Sequence, residues 1–363
     1  MLLPKRLKDK LDERKENNSF RSLRLRGDGI DFFSNDYLGI ARMDSPPLGL
    51  HGATGSRLIS GHHMITEELE LAMAQFFRAP SALLYNSGYD ANLGFFSSVP
   101  QRGDTILYDE LIHASVRDGL RLSFAQSVRF KHNDLQDLEE KLSQATGTIY
   151  IAVESIYSMD GDEAPLKDIA ALSEAYNALL YVDEAHAAGV FGEKGQGLVD
   201  AYGLNERVFA RLVTFGKAFG SHGAIILGPG DLKAYLINFS RSLIYTTALP
   251  PYSQQRLLWT INRIAEAVQK RKDLKDRISF FRKKSQLNQL PVLPSNSPIQ
   301  GVFIPGNTKA TDLSKALIKS GFEVKAILSP TVPKGEERIR ICLHAFNTEK
   351  EIESLIKEMK ASI

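Results

Sequence analysis

Lys217 lies between two glycines in residues 214–220 (TFGKAFG), directly after a largely apolar run at residues 209–213. Short runs of this kind are typical of buried strands, so we expect the lysine just past a strand end. Apolar neighbours desolvate an amine, which disfavours the ammonium form, lowers the lysine pKa and makes the group a better nucleophile. An isolated Gly-Lys is more often a surface turn, so other residues must decide between these interpretations.

Asp183 ends another apolar run, residues 179–182, and precedes Lys217 by one predicted helix and one predicted strand. A buried carboxylate needs a cation or hydrogen-bond donors. A carboxylate facing a lysine suits pyridoxal 5′-phosphate, because the amine condenses with the aldehyde and the carboxylate keeps the ring nitrogen protonated. A plain Asp–Lys salt bridge is the alternative. Residues 183–186 also match the Asp-Glu-Ala-His box of ATP-driven helicases, but no phosphate-binding loop precedes them.

Further polar groups follow predicted strands. His113 follows the run at residues 105–108, and its planar ring could stack on a flat cofactor, although capping the next helix explains it equally well. Ser158 and Thr214 offer hydroxyls after two other strands. Gly88 lies where a strand passes into a helix, and the free N–H groups of that helix end could hold a phosphate.

Strand and helix patterns alternate from residue 82 to about residue 228. This alternation predicts an α/β fold with a mostly parallel sheet, in which ligands bind at the carboxyl ends of the strands. We predict an N-terminal helix and extension (1–45), a large α/β domain (46–285) and a small C-terminal α+β domain (286–363).

Composition narrows the classes of function. A net charge of +2 over 363 residues argues against nucleic acid or a membrane surface as a partner. No apolar stretch approaches 18 residues and no signal-peptide core is present, which favours a cytoplasmic location. No metal site is predicted. The only cysteine, Cys342, lies in a strand-like run and is expected to be a buried structural thiol.

Seven ordered motifs together resemble the α-oxoamine synthases, pyridoxal-phosphate enzymes of fold type I. The motifs are residues 34–39, 55–61, 86–89, 158–162, 182–186, 214–217 and 244–251.

The resemblance implies a role for each matching position. Lys217 would be the Schiff-base lysine, Asp183 would pair with the pyridinium nitrogen, and His113 would stack on the ring. The other implied contacts are Gly88, Tyr89, Ser158, His186 and Thr214 for the cofactor, and Arg21, His113, Thr331 and Arg340 for the substrate. A guanidinium such as that of Arg340 suits an amino-acid carboxylate, and a surface strand residue is the alternative.

The resemblance also implies a reaction. The expected chemistry is a decarboxylative condensation of L-alanine with a pimeloyl thioester of coenzyme A or acyl-carrier protein, with glycine and an acetyl thioester as the alternative pair. The implied assembly is a homodimer with shared active sites, in which Thr246 or Thr247 reaches the neighbouring phosphate. A nucleotide-binding module that uses residues 52–55 is an alternative of a different class, although no G-x-G-x-x-G follows a strand.

Overall fold

The computed structural model describes residues 5–21, 27–44 and 50–363. The chain divides into two compact units. The small unit comprises the described parts of residues 1–37 together with residues 159–162 and 272–363. The large unit comprises the described parts of residues 38–158 together with residues 163–271.

Helices and strands follow one another along most of the described chain. The helices are α1 (Lys5–Glu16), α2 (Met64–Phe76), α3 (Gly88–Ser98), α4 (Ala114–Leu122), α5 (Leu135–Leu142), α6 (Leu166–Ala175), α7 (Leu198–Ala201), α8 (Gly230–Phe239), α9 (Arg241–Ile244), α10 (Pro251–Glu266), α11 (Val268–Leu287), α12 (Asn307–Lys319) and α13 (Glu349–Ser362). The strands are β1 (Ile30–Asp31), β2 (Ser81–Tyr85), β3 (Thr105–Asp109), β4 (Gln126–Phe130), β5 (Ile149–Glu154), β6 (Leu179–Asp183), β7 (Ala210–Thr214), β8 (Ala224–Gly228), β9 (Ile299–Phe303), β10 (Phe322–Glu323), β11 (Lys325–Ile327) and β12 (Arg338–Cys342). None of the helices in the described residues has both the length and the apolar character needed to cross a membrane.

A seven-stranded sheet of order β2-β8-β7-β6-β5-β3-β4 forms the centre of the large unit. Strands β3 to β7 are mutually parallel, and β8 runs antiparallel to both of its neighbours. The predicted mostly parallel sheet is therefore confirmed. Four adjacent parallel strands end in polar residues, so one edge of the sheet carries Asp109, Glu154, Asp183 and Thr214.

Aromatic packing holds α3 against this sheet. The rings of Phe95 and Phe96 on α3 lie 4.5 and 4.8 Å from the Tyr181 ring on β6, and all three side chains are fully buried. Burial of a large aromatic side chain contributes about 1.5–3 kcal/mol. This contact fixes the position of the helix relative to the end of β6.

The Glu184 carboxylate is part of a buried structural ion pair. Arg211 on β7 donates to Glu184 Oε2 from Nη2 at 2.6 Å and from Nε at 3.0 Å. The backbone N–H groups of Leu198 and Val199, at the start of α7, donate to Glu184 Oε1 at 2.6 and 2.9 Å. Fully paired in this way, Glu184 supports the chain that follows β6.

The small unit contains a three-stranded antiparallel sheet of order β11-β12-β9. Residues 322–328, which the sequence pattern predicts as one strand, form two. Of these, β10 pairs in parallel with β1, whereas β11 joins β12, so the single-strand prediction is wrong. Strand β12 is buried along its whole length, and Cys342 is a buried free thiol as predicted.

Candidate active site

Asp183 is 4% exposed at the carboxyl end of β6. Its Oδ2 accepts a hydrogen bond from Asn92 Nδ2 at 3.0 Å, and its Oδ1 accepts one from the Ala185 backbone N–H at 3.0 Å. A buried carboxylate with two such donors is held in one orientation.

Lys217 is half-buried in the turn that joins β7 to β8. Two backbone hydrogen bonds close this turn, from Ser221 N–H to Phe215 O and from Gly220 N–H to Lys217 O, both at 2.8 Å. Gly220 has φ +55°, and a Cβ atom there would lie 2.3 Å from the Ala41 nitrogen, so a side chain has no room. The turn is therefore tightly constrained around the lysine.

His113 lies close enough to Asp183 and Lys217 for both charges to act on its imidazole. Desolvation by the surrounding protein lowers the pKa of its imidazole, and the charge of Lys217 acts in the same direction, whereas Asp183 and Asp118 oppose them. The structure thus brings Lys217, Asp183 and His113 to one edge of the sheet, as the sequence predicted.

The same histidine caps a helix. His113 is the N-cap residue of α4, and its Nδ1 accepts the Ser115 backbone N–H at 3.2 Å. The Ser115 hydroxyl lies 2.7 Å from the same nitrogen. Capping and proximity to the site were competing interpretations of the sequence, and the structure shows both.

Glu154 is a site residue that the sequence reasoning missed. It is 3% exposed at the end of β5, in register with Asp183, and its Oε1 has no hydrogen-bond partner. Burial raises the pKa of its carboxyl well above the usual range and Asp183 raises it further, whereas Lys217 lowers it. The signal was available, because Glu154 ends an apolar strand in the same way as Asp183.

Asn92 was also missed, and no local signal reveals it. It occupies the second turn of α3, 1% exposed, and its role depends on contact with β6, 91 residues away in the chain.

Gly88 and Thr214 form a close contact where α3 begins. A Cβ on Gly88 would lie 2.4 Å from Thr214 Cγ2, so only glycine fits beside this threonine. Thr214 Oγ1 is buried without a hydrogen-bond partner. The first backbone N–H groups of a helix have no intrahelical acceptor, so this corner combines donors with an unpaired hydroxyl. It fits an anionic, oxygen-rich group such as the phosphate of pyridoxal phosphate.

The remaining predicted cofactor contacts differ in accessibility. Tyr89 is 43% exposed, and its hydroxyl donates to Asp118 on α4. His186 is buried just beyond β6, and Ser158 is half-buried beyond β5.

The predicted substrate contacts Arg21, Thr331 and Arg340 belong to the small unit. Arg21 Nη2 lies 3.4 Å from Thr331 Oγ1, so these residues from opposite ends of the chain meet. Arg340 is 8% exposed on β12, and its guanidinium contacts Cys342 Sγ at 2.9 Å and Asn35 Oδ1 at 3.2 Å. The alternative of a surface strand residue is therefore wrong for Arg340.

Comparison with known proteins places the chain in a family. The model of aminotransferase class I and II matches residues 28–359. The chain belongs to this family. It is 40% identical to an 8-amino-7-oxononanoate synthase of Emericella nidulans, over 98% of this chain and 95% of that protein.

Solved structures similar to this chain agree with the fold. The 8-amino-7-oxononanoate synthase of Francisella tularensis gives a TM-score of 0.80 at 29% identity, covering 92% of this chain and 97% of that one. A structure of SPT with PLP internal aldimine gives a TM-score of 0.87 at 27% identity, covering 92% and 87%. The predicted fold-type-I α/β architecture and the resemblance to α-oxoamine synthases are confirmed.

Proposed function

We propose that this chain is a pyridoxal-phosphate-dependent acyltransferase of biotin biosynthesis. It condenses L-alanine with a pimeloyl thioester and releases 8-amino-7-oxononanoate, CO₂ and the free thiol. Near full-length similarity to enzymes named 8-amino-7-oxononanoate synthase is the observation that carries this proposal. The grouping of Lys217, Asp183 and His113 at one sheet edge supports it.

The large unit would hold the cofactor. The proposed contacts are Gly88, Tyr89, His113, Ser158, Asp183, His186, Thr214 and Lys217. When bound, pyridoxal phosphate supplies an electron-withdrawing ring that stabilises negative charge on the amino-acid Cα. The fit of Gly88 against Thr214, with its unpaired buried hydroxyl, supports a phosphate at the start of α3.

Asp183, Lys217 and His113 are the proposed catalytic residues, and each has a different role. Asp183, oriented by Asn92 and Ala185, would keep the ring nitrogen of the cofactor protonated. The Lys217 amine takes the proton from the alanine Cα through Nζ. His113 is also proposed to contact the substrate.

The proposed substrate contacts are Arg21, His113, Thr331 and Arg340. The buried Arg340 guanidinium suits the alanine carboxylate, since two parallel N–H donors match its two oxygens. Arg21 and Thr331, which contact each other, are also proposed to contact the substrate.

A competition assay tests the proposed reaction. Purified protein is supplied with alanine, glycine and serine together, each with pimeloyl, acetyl and palmitoyl thioesters of coenzyme A, and the products are identified by mass spectrometry. We expect the alanine–pimeloyl product to dominate. A dominant glycine–acetyl product would show a 2-amino-3-ketobutyrate ligase, and a serine–palmitoyl product a serine palmitoyltransferase. Repeating the assay with pimeloyl-acyl-carrier protein identifies the preferred carrier.

We also propose a homodimer with shared active sites. Four large apolar side chains in residues 58–71 are more than half exposed, which is typical of an interface. They are Leu58, Ile59, Met64 and Leu71. Either Thr246 or Thr247 is proposed to contact the neighbouring phosphate. The Asn86 amide donates to Thr246 Oγ1 at 3.3 Å and to Thr247 O at 2.7 Å. Analytical ultracentrifugation at several protein concentrations tests whether the chain forms this dimer.

A cytoplasmic location stays a prediction from the sequence.

A further inference from the structure

A chain of hydrogen bonds connects Asp183 to His113 through two side chains that have no assigned role. The Asn92 amide donates to Asp183 Oδ2 at 3.0 Å and to Ser115 Oγ at 2.9 Å. Ser115 Oγ in turn lies 2.7 Å from His113 Nδ1. Asn92 and Ser115 are 1% and 0% exposed, so water does not compete for these bonds.

The donors and acceptors in this chain have only one consistent arrangement. The Tyr181 hydroxyl, whose pKa is raised well above its usual value mainly by burial, donates to Asn92 Oδ1 at 2.6 Å. This bond uses the amide oxygen and directs both amide hydrogens to Asp183 and Ser115. Because Ser115 Oγ accepts from Asn92, its own proton is available for His113.

His113 Nδ1 therefore faces two donors, the Ser115 hydroxyl and the Ser115 backbone N–H. A ring nitrogen that accepts hydrogen bonds carries no proton, so in the neutral imidazole the proton lies on Nε2. Protonating Nδ1 would break the cap of α4 as well.

We propose that Asn92 and Ser115 are positioning residues that hold His113 in the neutral Nε2–H tautomer and tie it to the carboxylate of Asp183. His113 then donates a hydrogen bond from Nε2 but accepts no proton there, which leaves Lys217 as the base. The conclusion that Lys217 is the base rests on the proposed function, whereas the tautomer of His113 does not depend on it.

The charged and titratable groups around the imidazole come from four elements. They are Asp118 on α4, Glu154 on β5, Asp183 on β6 and Lys217 after β7. None of them is removed or loses a hydrogen bond in Ser115→Ala, so a change in His113 titration in that variant reports the loss of a neutral hydrogen bond.

Nitrogen-15 NMR of histidine-labelled apoprotein tests the proposal without cofactor or turnover. In the unmodified protein, we expect His113, assigned with His113→Asn, to show a protonated Nε2, an accepting Nδ1 and a pKa below 6.5. In Ser115→Ala, we expect a second tautomer and a pKa higher by about half a unit, because one hydrogen bond to the neutral form is lost. In Asn92→Leu, we expect a change in the same direction, because the amide that directs the Ser115 hydroxyl toward His113 is lost. The matched control is Asn238→Leu, which removes an exposed amide bonded to Ala234 O within α8 and should leave His113 unchanged.

Two results would overturn the proposal. One is a protonated Nδ1 in the unmodified protein, and the other is an unchanged tautomer and pKa in Ser115→Ala. Ser115→Ala removes a single oxygen atom, so it still tests the proposal if Asn92→Leu does not fold. A protein with the expected tautomer but no synthase activity would instead contradict the proposed function.

Discussion

At the scale of single residues, the candidate site depends on side chains whose burial changes their chemistry. Asp183 and Glu154 end adjacent strands in register, both nearly fully buried. Two buried carboxylates side by side do not both ionise readily, because each negative charge opposes the other. Asp183 receives two hydrogen bonds, whereas Glu154 has an unpartnered oxygen, and burial raises the pKa of the Glu154 carboxyl well above its usual range.

Replacing Lys217 tests the central assignment. We expect Lys217→Ala to lose the borohydride-reducible link to pyridoxal phosphate and at least about 100-fold in product formation, because the amine supplies both the link and the base. Absorbance before and after borohydride, followed by peptide mass spectrometry, measures the link. Lys194→Ala, which alters an exposed lysine, is the control. A reducible link that persists in Lys217→Ala would refute the assignment.

The raised pKa of Glu154 predicts how stability depends on pH. The folded protein holds this proton more tightly than the unfolded chain, so above pH 4.5 and up to the raised pKa the free energy of unfolding falls as pH increases. Glu154→Gln removes this contribution. The stability of the variant relative to the unmodified protein should therefore grow with pH, by up to about 1.4 kcal/mol per pH unit.

Urea unfolding of the apoproteins at several pH values from 5 to 8 measures this difference. Glu206→Gln, which changes an exposed carboxylate of the same unit, serves as the control and should show a flat difference. A flat difference for Glu154→Gln as well would contradict the raised pKa.

At the scale of elements, α3 and α4 together position the site. Aromatic packing fixes α3 on the sheet, and α3 in turn presents Asn92 to the end of β6. Gly119 lets α4 come close, since a Cβ there would lie 2.8 Å from Phe96 Cβ and 3.0 Å from Asn92 O. His113, at the start of α4, is thereby placed near Asp183.

Two substitutions at His113 separate its role as a helix cap from its chemistry. Asparagine is a favoured N-cap residue, so His113→Asn should keep the unfolding free energy within about 0.5 kcal/mol, whereas His113→Ala should lose about 1 kcal/mol. Both variants lack the imidazole, and we expect each to lose at least about 100-fold in kcat. Urea unfolding and product assays measure the two effects. Equal stability of the two variants would show that the cap contributes nothing.

At the scale of the whole molecule, long-range polar contacts hold the large unit together. The Arg211 guanidinium pairs with Glu184 and also donates to Phe77 O, Asn205 Oδ1 and Gln196 O, at 3.0, 2.8 and 2.8 Å. It thereby joins the end of α2, the approach to α7 and the strand that precedes Lys217. This buried network therefore supports the edge of the sheet at which the candidate active site lies.

Replacing Arg211 should lower the free energy of unfolding far more than replacing an exposed arginine. We expect Arg211→Met to lower the free energy of unfolding by about 3–5 kcal/mol, because Glu184 would be left as an unpaired buried charge. Arg207→Met breaks the solvent-screened pair with Glu174 and should lower the free energy of unfolding far less. Urea unfolding of both variants measures the contrast. Similar losses of unfolding free energy in the two variants would show that the buried Arg211–Glu184 pair stabilises the fold no more than the exposed pair.

The sequence by itself determined the elements and the catalytic candidates. Strand and helix periodicity is local, so the alternation between residues 82 and 228 predicted the parallel sheet. Parallel strands end at a common edge, so a lysine and an aspartate that follow two such strands were expected to lie near each other. The comparisons with known proteins confirm the family that the seven ordered motifs indicated.

Only the tertiary structure decided the environment of these residues. The contacts of Asn92, the burial of Arg340 and the raised pKa of Glu154 depend on segments that are far apart in the chain. Desolvation and hydrogen bonding act through space, and no local pattern encodes which distant atoms surround a side chain. For the same reason, the sequence left capping and proximity to the site as alternatives for His113, whereas in the folded chain His113 caps α4 and is also influenced by the charges of Asp183 and Lys217.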